Sequence, residues 1–164
     1  MKIIESTSEM REYSQKLKKD GLTIGSVGTE GFLHEGHMSL VKIAQENSDV
    51  VVLDITHANK YLTCSPKEYK KELETYKKTT LKNDKEICVL NKVNVFFASS
   101  MEDLYLDTPA LNSNLIKSQH PTFPIGSLDF IPAFYSTLRI VIPDVFVVGE
   151  KDLHQNVALK SLIN

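Results

Sequence analysis

The stretch from Thr23 to Ala44, TIGSVGTEGFLHEGHMSLVKIA, decides the predicted fold. It opens with an apolar run containing Ile24 and Val27, which favours a buried parallel strand. Four of the chain's seven glycines lie within twelve residues here, and glycine lets a ligand come close to the main chain. A helical pattern follows from about Glu35. The stretch therefore predicts a strand, a glycine-rich turn and a helix.

Two histidines stand at the start of that helix. His34 and His37 are three residues apart, so they share one face of the helix. A helix N-terminus offers N–H groups and partial positive charge, which suit a phosphate. We predict that the two imidazoles bind a phosphate chain during its transfer. A zinc site would need a third ligand, for which His57, Cys64 and His154 have no supporting spacing, and a structural role at the helix start is a further alternative.

Composition narrows the class of protein. The chain has 164 residues and 41% hydrophobic residues, as expected of one soluble globular domain. A net charge of −2, with 17 lysines and 2 arginines, predicts neither a nucleic acid nor a membrane as partner. Cys64 and Cys88 lack C-x-x-C spacing, which predicts two reduced thiols in a cytoplasmic protein. No apolar run approaches the roughly 20 residues of a membrane span, and the N-terminus is too polar for a signal peptide.

The rest of the chain alternates between strand and helix patterns. Further strands are predicted at 1–4, 49–55, 93–98 and 144–148, and further helices at 7–19, 66–90, 101–105, 129–140 and 152–163. Residues 106–127 are predicted to form a loop with short pieces because prolines interrupt them. The alternation predicts an α/β fold, a Rossmann-like doubly wound parallel sheet of about five strands with helices on both faces. The helix at 129–140 is expected to bury Phe130, Ile131, Phe134 and Leu138.

Right-handed crossovers would bring the ends of the strands at 23–28, 50–55 and 144–148 to one edge. The loops there carry further polar residues, namely Asn59, Lys60, Lys151, Asp152, His154, Gln155 and Asn156. Lysine can neutralise phosphate as a compact point charge. Asp152 could accept from ribose hydroxyls or cap the following helix, and the residues leave both readings open. The glycines form neither a Walker loop nor a dinucleotide fingerprint, and no G-x-S-x-G elbow is present.

Four segments resemble a known family. His34-Glu35-Gly36-His37 after a strand resembles the HIGH signature of the nucleotidyltransferase superfamily. Its surroundings, GSVGTEGFLHEGHMSLVKIA, resemble the block GFVPTMGALHEGHLSLV of the pantothenate synthetase (pantoate–β-alanine ligase) family. DVVVLDI, VNVFFASSMEDLY and IVIPDVFVVGEKDLHQ resemble later segments of that family in the same order. The chain is thus identified as a divergent member, similar to the family's N-terminal nucleotide-binding domain.

The resemblance implies an ATP- and Mg²⁺-dependent ligase. It would activate pantoate or a related small carboxylic acid as an acyl-adenylate and join it to an amine such as β-alanine. The implied catalytic residues are His34, His37 and Lys151. The implied nucleotide-binding residues are Gly28, Thr29, His34, Gly36, His37, Gly149, Lys151 and Asp152, with Asp152 also a metal ligand. Asn59 and Gln155 would bind the acid. The family resemblance further implies a cytoplasmic homodimer.

The sequence also departs from the family pattern. Glu30 replaces the methionine of P-T-M and would repel a carboxylate, and Leu62 stands where a loop glutamine is expected. Phe123–Ile131 has lost both arginines and the histidine of the corresponding run. We expect one nucleotide-binding domain over residues 1–164, without the family's KMSKS-type loop and C-terminal lid.

These departures leave two alternatives open. One is an ATP-binding, catalytically impaired module derived from the family. The other is a small single-domain nucleotidyltransferase, although the R-x-x-G-[IV]-S-T-[ST] segment of such enzymes is not found.

Overall fold

The computed structural model describes residues 1–57, 64–106, 131–150, 156, 157 and 160. The strands are β1 (Lys2–Ile4), β2 (Ile24–Thr29), β3 (Val50–Ile55), β4 (Val95–Phe97) and β5 (Val145–Val147). The helices are α1 (Thr7–Lys19), α2 (Glu35–Asn47), α3 (Pro66–Thr79), α4 (Leu81–Leu90), α5 (Met101–Leu106) and α6 (Ile131–Val141). Of the helix predicted at 152–163, only the helical residues 156, 157 and 160 are described, and the loop predicted at 106–127 lies outside the described residues beyond 106. Every helix within the described ranges is too short or too polar to cross a membrane.

The five strands form one parallel sheet in the order β1-β4-β3-β2-β5. The chain steps from β2 to β3 to β4 in one direction and then returns to β5 on the other side of β2. This reversal makes a switch point beside β2, and open α/β sheets bind ligands at the carboxyl ends of the strands at such points. The predicted doubly wound parallel sheet is confirmed.

Two cores cover the two faces of the sheet. β3 supplies Val50 and Val52 to the first core and Val51, Leu53 and Ile55 to the second. Side chains of α1, α5 and α6 complete the first core, namely Met10, Leu17, Met101, Leu104, Ala133, Ile140 and Val141. Side chains of α2 and α4 contribute Val41, Ala44 and Cys88 to the second core. β3 is therefore apolar at successive positions because both of its faces are covered.

The region predicted as one helical stretch at 66–90 is two helices. Thr80 ends α3 and precedes α4, with φ −118° and ψ −36°. The KKTTLK sequence holds no glycine or proline at this break, so local sequence did not mark it. α3 places Tyr69 in the first core and Tyr76 in the second. Its side chains therefore contribute to both cores.

The buried face of α6 differs from the predicted one. Ala133, Ser136, Thr137, Ile140 and Val141 are buried, whereas Phe134 and Leu138 are only half-buried. The stripe at 133, 136–137 and 140–141 has helical spacing, and its small side chains at 133, 136 and 137 allow α6 to pack closely against the sheet and α1. The side chains of Phe130 and Ile131 lie outside the described set.

Neither cysteine forms a disulfide within the described residues. Cys88 is fully buried in the second core, and burial, with a contribution from Asp84, raises the pKa of its thiol to about 12. A thiol with that pKa is a packing group rather than a nucleophile.

Candidate functional site

Two histidines cap α2 reciprocally. His34 is the N-cap residue, in extended backbone conformation, and its Nδ1 accepts the Gly36 N–H at 3.0 Å. In return, the His34 N–H donates to Nδ1 of His37 at 3.4 Å. This is the geometry of a capping box, with imidazoles in the positions that serine and glutamate usually occupy. The predicted structural role at the helix start is therefore realised.

The cap determines which nitrogen of each ring carries the proton. Because each Nδ1 accepts a backbone N–H, the neutral ring carries its proton on Nε2. The ring centroids are 4.0 Å apart and the planes are inclined by 36°. Two adjacent imidazoles with N–H groups at Nε2 suit neighbouring oxygens of a phosphate chain. The structural role and the predicted phosphate chemistry thus use different nitrogens.

The glycines beside the histidines make room for protein side chains. A Cβ on Gly36 would lie 2.8 Å from Cε1 and 3.0 Å from Nδ1 of His34, so the capping ring needs this glycine. Gly31 has φ +84°, which favours glycine, and its Cβ would lie 2.7 to 2.9 Å from atoms of the Tyr76 ring and hydroxyl.

Side chains also occupy the space beside the two glycines within β2, Gly25 and Gly28. A Cβ on Gly28 would lie 3.1 Å from Cε1 of Phe134, and one on Gly25 would collide with Ser48 Oγ on the residue that ends α2. Protein side chains therefore lie close to all four glycines. That these glycines let a ligand approach the main chain stays a prediction.

The ends of β2 and β5 lie side by side. Val27 pairs with Val147, which places Gly149 at the level of Thr29 beyond the paired residues. Thr29 Oγ1 donates to the Asp54 carbonyl at 3.3 Å and accepts the Gly31 N–H at 3.2 Å. The Gly149 carbonyl accepts from Asn156 Nδ2 at 3.1 Å.

Of the predicted site residues, Gly28, Thr29, His34, Gly36, His37 and Gly149 therefore lie at one edge of the sheet. Asn59, Lys60, Lys151, Asp152, His154 and Gln155 lie outside the described residues.

A buried carboxylate at the end of β3 was missed by sequence reasoning. Asp54 pairs with Gly28 and is 2% exposed. Its Oδ2 accepts from the hydroxyls of Thr56 at 2.6 Å and Thr137 at 3.0 Å, whereas its Oδ1 has no hydrogen-bond partner among the described residues. Burial raises the pKa of this carboxyl to about 6, against the opposing effect of the two hydroxyls. The available signal was a single acid inside the apolar strand VVVLDI.

Asp84 on α4 is a second residue that sequence reasoning missed. It is fully buried, and its two oxygens accept the N–H groups of Phe32 at 2.8 Å and Leu33 at 2.9 Å. The signal for its burial was its position between Leu81 and Cys88, on the apolar stripe of a lysine-rich helix. Its bonds fix the two residues that directly precede His34.

His57 follows β3 and packs edge-on against the ring of Tyr76, with centroids 4.6 Å apart. Burial lowers the pKa of His57, and the charge of Asp84 opposes this shift. Within the described part of the chain, no three His, Cys, Asp or Glu side chains are grouped to hold a metal ion. His154, the remaining candidate zinc ligand, lies outside that part.

Sequence comparison identifies related proteins along the chain. The family model described as pantoate-beta-alanine ligase matches residues 2–164. The chain is 30% identical to the pantothenate synthetase of Clostridium acetobutylicum and 32% identical to that of Hydrogenovibrio crunogenus. Each alignment covers 99% of this chain but only 57% and 58% of the respective relative, so the chain spans less than three fifths of their length.

Solved structures agree with this relationship. The pantoate-beta-alanine ligase of Francisella tularensis, complexed with beta-gamma ATP and beta-alanine, superposes with a TM-score of 0.74 at 26% identity, over 99% of this chain and 62% of that one. A pantothenate synthetase from Thermus thermophilus shares the fold with a TM-score of 0.72 at 20% identity, over 99% of this chain and 57% of that one. The chain therefore belongs to the pantoate-beta-alanine ligase family.

Proposed function

We propose that this chain carries the nucleotide-binding and adenylyl-transfer centre of a pantothenate synthetase-like ligase. It would use ATP and Mg²⁺ to activate pantoate, or a related small carboxylic acid, as an acyl-adenylate for condensation with an amine such as β-alanine. The observation that carries the proposal is the His34–His37 pair at the start of α2, beside the switch point of the sheet.

His34 and His37 are proposed to stabilise the charge that builds on the phosphates during transfer. Their Nε2–H groups are suited to donate to phosphate oxygens, while Nδ1 of each ring stays engaged with the backbone. The N-terminus of α2 adds partial positive charge in the same place. ATP supplies the adenylyl group, and the chain's own contribution is positioning and electrostatic stabilisation.

The remaining roles rest on the family resemblance. We propose that Lys151 neutralises phosphate, that Asp152 holds the ribose and Mg²⁺, and that Asn59 and Gln155 bind the acid. Mg²⁺ usually takes one or two carboxylates together with substrate phosphates. A single aspartate would therefore suffice at a site whose described part groups no three potential metal ligands. Gly28, Thr29, Gly36 and Gly149 would border the nucleotide.

The structure of the Francisella ligase is complexed with beta-gamma ATP and beta-alanine, which supports the same two ligand classes here. We further propose a homodimer in the cytoplasm, as the family resemblance implies.

Nucleotide binding can be tested by thermal unfolding. A ligand at 100 times its dissociation constant stabilises the native state by about 2.7 kcal/mol, so ATP with Mg²⁺ should raise the melting temperature. His37→Ala should reduce that rise, while Lys42→Ala, an exposed substitution on the same helix, should leave it unchanged. If no nucleotide shifts the melting temperature, the proposed function is wrong.

Acid activation can be tested by isotope exchange. Labelled pyrophosphate should exchange into ATP only when an acid that the protein activates is present. A panel should include pantoate and other small hydroxy acids, because Glu30 and Leu62 depart from the family's acid-binding pattern. ATP binding without exchange for any acid would instead support the nucleotide-binding module.

A further inference from the structure

One side chain of α4 holds the backbone that leads into the candidate site. Both oxygens of Asp84 accept successive backbone N–H groups, those of Phe32 and Leu33, at 2.8 and 2.9 Å. Hydrogen bonds to a charged acceptor are stronger than neutral ones, and Asp84 is fully shielded from water. The bonds lie one and two residues before His34, which starts the imidazole cap.

The backbone that Asp84 holds is strained. Gly31 and Phe32 both have left-handed conformations, with φ +84° and +53°. A bulky residue rarely adopts this region, and such a conformation persists only where its surroundings impose it. Phe32 is 62% exposed, so burial of its ring does not supply the restraint. The buried carboxylate of Asp84 restrains this backbone directly, by accepting the N–H groups of Phe32 and Leu33.

Tyr76 completes the arrangement from α3. Its hydroxyl donates to Oδ2 of Asp84 at 2.7 Å, and its ring lies where a Gly31 side chain would be. Its centroid is 5.5 Å from that of Phe32. Burial and the bond to Asp84 raise the pKa of the Tyr76 hydroxyl, so it remains a donor at physiological pH. Tyr76 therefore holds the Asp84 carboxylate in the orientation that serves both loop N–H groups.

We propose that Asp84 is the positioning residue of the adenylyl-transfer centre, fixing Phe32 and Leu33 so that the imidazoles of His34 and His37 take up the geometry in which they meet phosphate, with Tyr76 orienting its carboxylate. The reference to phosphate rests on the function proposed above. The effect of Asp84 on the two imidazoles is independent of the proposed function, because it concerns the geometry of the protein alone.

The test compares three variants. Asp84→Asn keeps the size of the side chain but cannot accept both N–H groups with equivalent oxygens. Tyr76→Phe keeps the ring against Gly31 and removes only the hydroxyl. Asp49→Asn is the matched control, because Asp49 accepts the Thr23 N–H at 2.8 Å at the opposite edge of the sheet.

The first readout needs no nucleotide. The imidazole ¹⁵N resonances of His34 and His37, assigned among the five histidines with His34→Gln and His37→Gln, report on the cap directly. At a temperature at which circular dichroism shows folded protein, they should move in Asp84→Asn, move less in Tyr76→Phe and stay in place in Asp49→Asn. If Asp84→Asn does not fold, the proposal is judged by comparing the resonance shifts of Tyr76→Phe with those of Asp49→Asn. Unmoved resonances in the site variants, or equal movement in the control, would overturn the proposal.

The second readout is ATP–pyrophosphate exchange with an active acid. A misplacement of about 1 Å can lower a rate about a hundred-fold, so kcat should fall by that order in Asp84→Asn with a smaller change in the KM for ATP. Retention of wild-type kcat in Asp84→Asn would contradict a positioning role. Absence of exchange in the wild type, with the imidazole resonances still sensitive to Asp84, would refute the proposed function and not the positioning of the loop.

Discussion

At the imidazoles of His34 and His37, Nδ1 accepts a backbone N–H of the helix cap, which leaves the Nε2–H of the neutral ring for the proposed contact with phosphate. The arrangement depends on Gly36, because the His34 ring occupies the space of its missing side chain. A change at a residue without any functional group should therefore disturb the candidate site.

Gly36→Ala tests this dependence. The added methyl would lie 2.8 Å from Cε1 of His34 and push the ring off its cap. Loss of an N-cap bond costs about 1 kcal/mol, partly offset by the better helix propensity of alanine. We expect a lower free energy of unfolding in urea and a reduced thermal shift with ATP.

Glu46→Ala is the control, since it places alanine at an exposed position of the same helix. If Gly36→Ala proves as stable as this control and retains the full shift with ATP, the capping geometry is not needed for binding.

Because of Asp54, the free energy of unfolding should decrease as the pH rises. Its folded pKa of about 6 lies above the ordinary 3.8, so between these values the folded state keeps a proton that the unfolded state has released. Stability from this group is therefore full below pH 3.8 and is lost as the pH rises through 6. A shift of about 2 units corresponds to about 3 kcal/mol. Relative to wild type, Asp54→Asn should gain about that much between pH 4 and pH 7.

Urea unfolding at pH 4, 5, 6 and 7 measures this gain. Asp49→Asn is the control, because the pKa of Asp49 is shifted in the opposite direction. The hydroxyl and N–H of Thr23 lower it. That variant should gain no stability over wild type as the pH rises. A difference between Asp54→Asn and wild type that does not change with pH would contradict a raised pKa at Asp54.

At the scale of elements, the ends of helices are set by individual side chains. Ser65 and Glu68 form a capping box at the start of α3, with Ser65 Oγ accepting the Glu68 N–H at 3.4 Å and the Glu68 carboxylate accepting the Ser65 N–H at 2.9 Å. Thr80 occupies the same position before α4 but makes no side-chain capping bond.

Ser65→Ala should therefore lower the free energy of unfolding by about 1 kcal/mol, whereas Thr80→Ala should change it by only a few tenths. Urea denaturation of the two variants, monitored by circular dichroism, measures the contrast. Equal losses would mean that the capping bonds at Ser65 do not contribute to stability.

The elements that sequence predicted well are those with local causes. β3 follows from a run that is apolar at every position except Asp54, and α1 lies over the predicted range 7–19, directly after its N-cap Ser6. The break at Thr80 has no such cause, since no breaking residue marks it. The buried face of α6 depends on which side chains fit against the sheet, which periodicity alone does not decide.

In the candidate site, too, features with a local cause could be predicted from the sequence and features that depend on distant contacts could not. His34, Gly36 and His37 are contiguous in the chain, so a motif could reveal them. Asp84 bonds to Phe32, 52 residues away, and no pattern within one element indicates that contact. Likewise, the hydroxyl of Thr137 reaches Asp54 only because α6 returns to the sheet.

At the scale of the whole molecule, we expect the two cores to unfold together because β3 lines both. Met10→Ala in the first core and Leu53→Ala in the second should each lower stability by about 2 to 5 kcal/mol. Both should do so within a single cooperative transition.

The chain has no tryptophan, so tyrosine fluorescence can report on the cores, with Tyr69 in the first and Tyr76 in the second. Fluorescence and far-UV circular dichroism should give coincident midpoints in both variants. Separate midpoints would show that the cores are independent.

Two glycines of the stretch from Thr23 to Ala44 bear on how tolerance to mutation should be interpreted. In a comprehensive substitution screen scored only for folded protein, Gly25 and Gly31 should rank among the least replaceable positions, because Ser48 lies against Gly25, and Gly31 has φ +84° with the Tyr76 ring beside it. The same ranking would arise in a descendant that had lost every ligand. Invariance of these glycines among relatives would thus record selection for folding, and a search for active enzymes should follow the histidines instead.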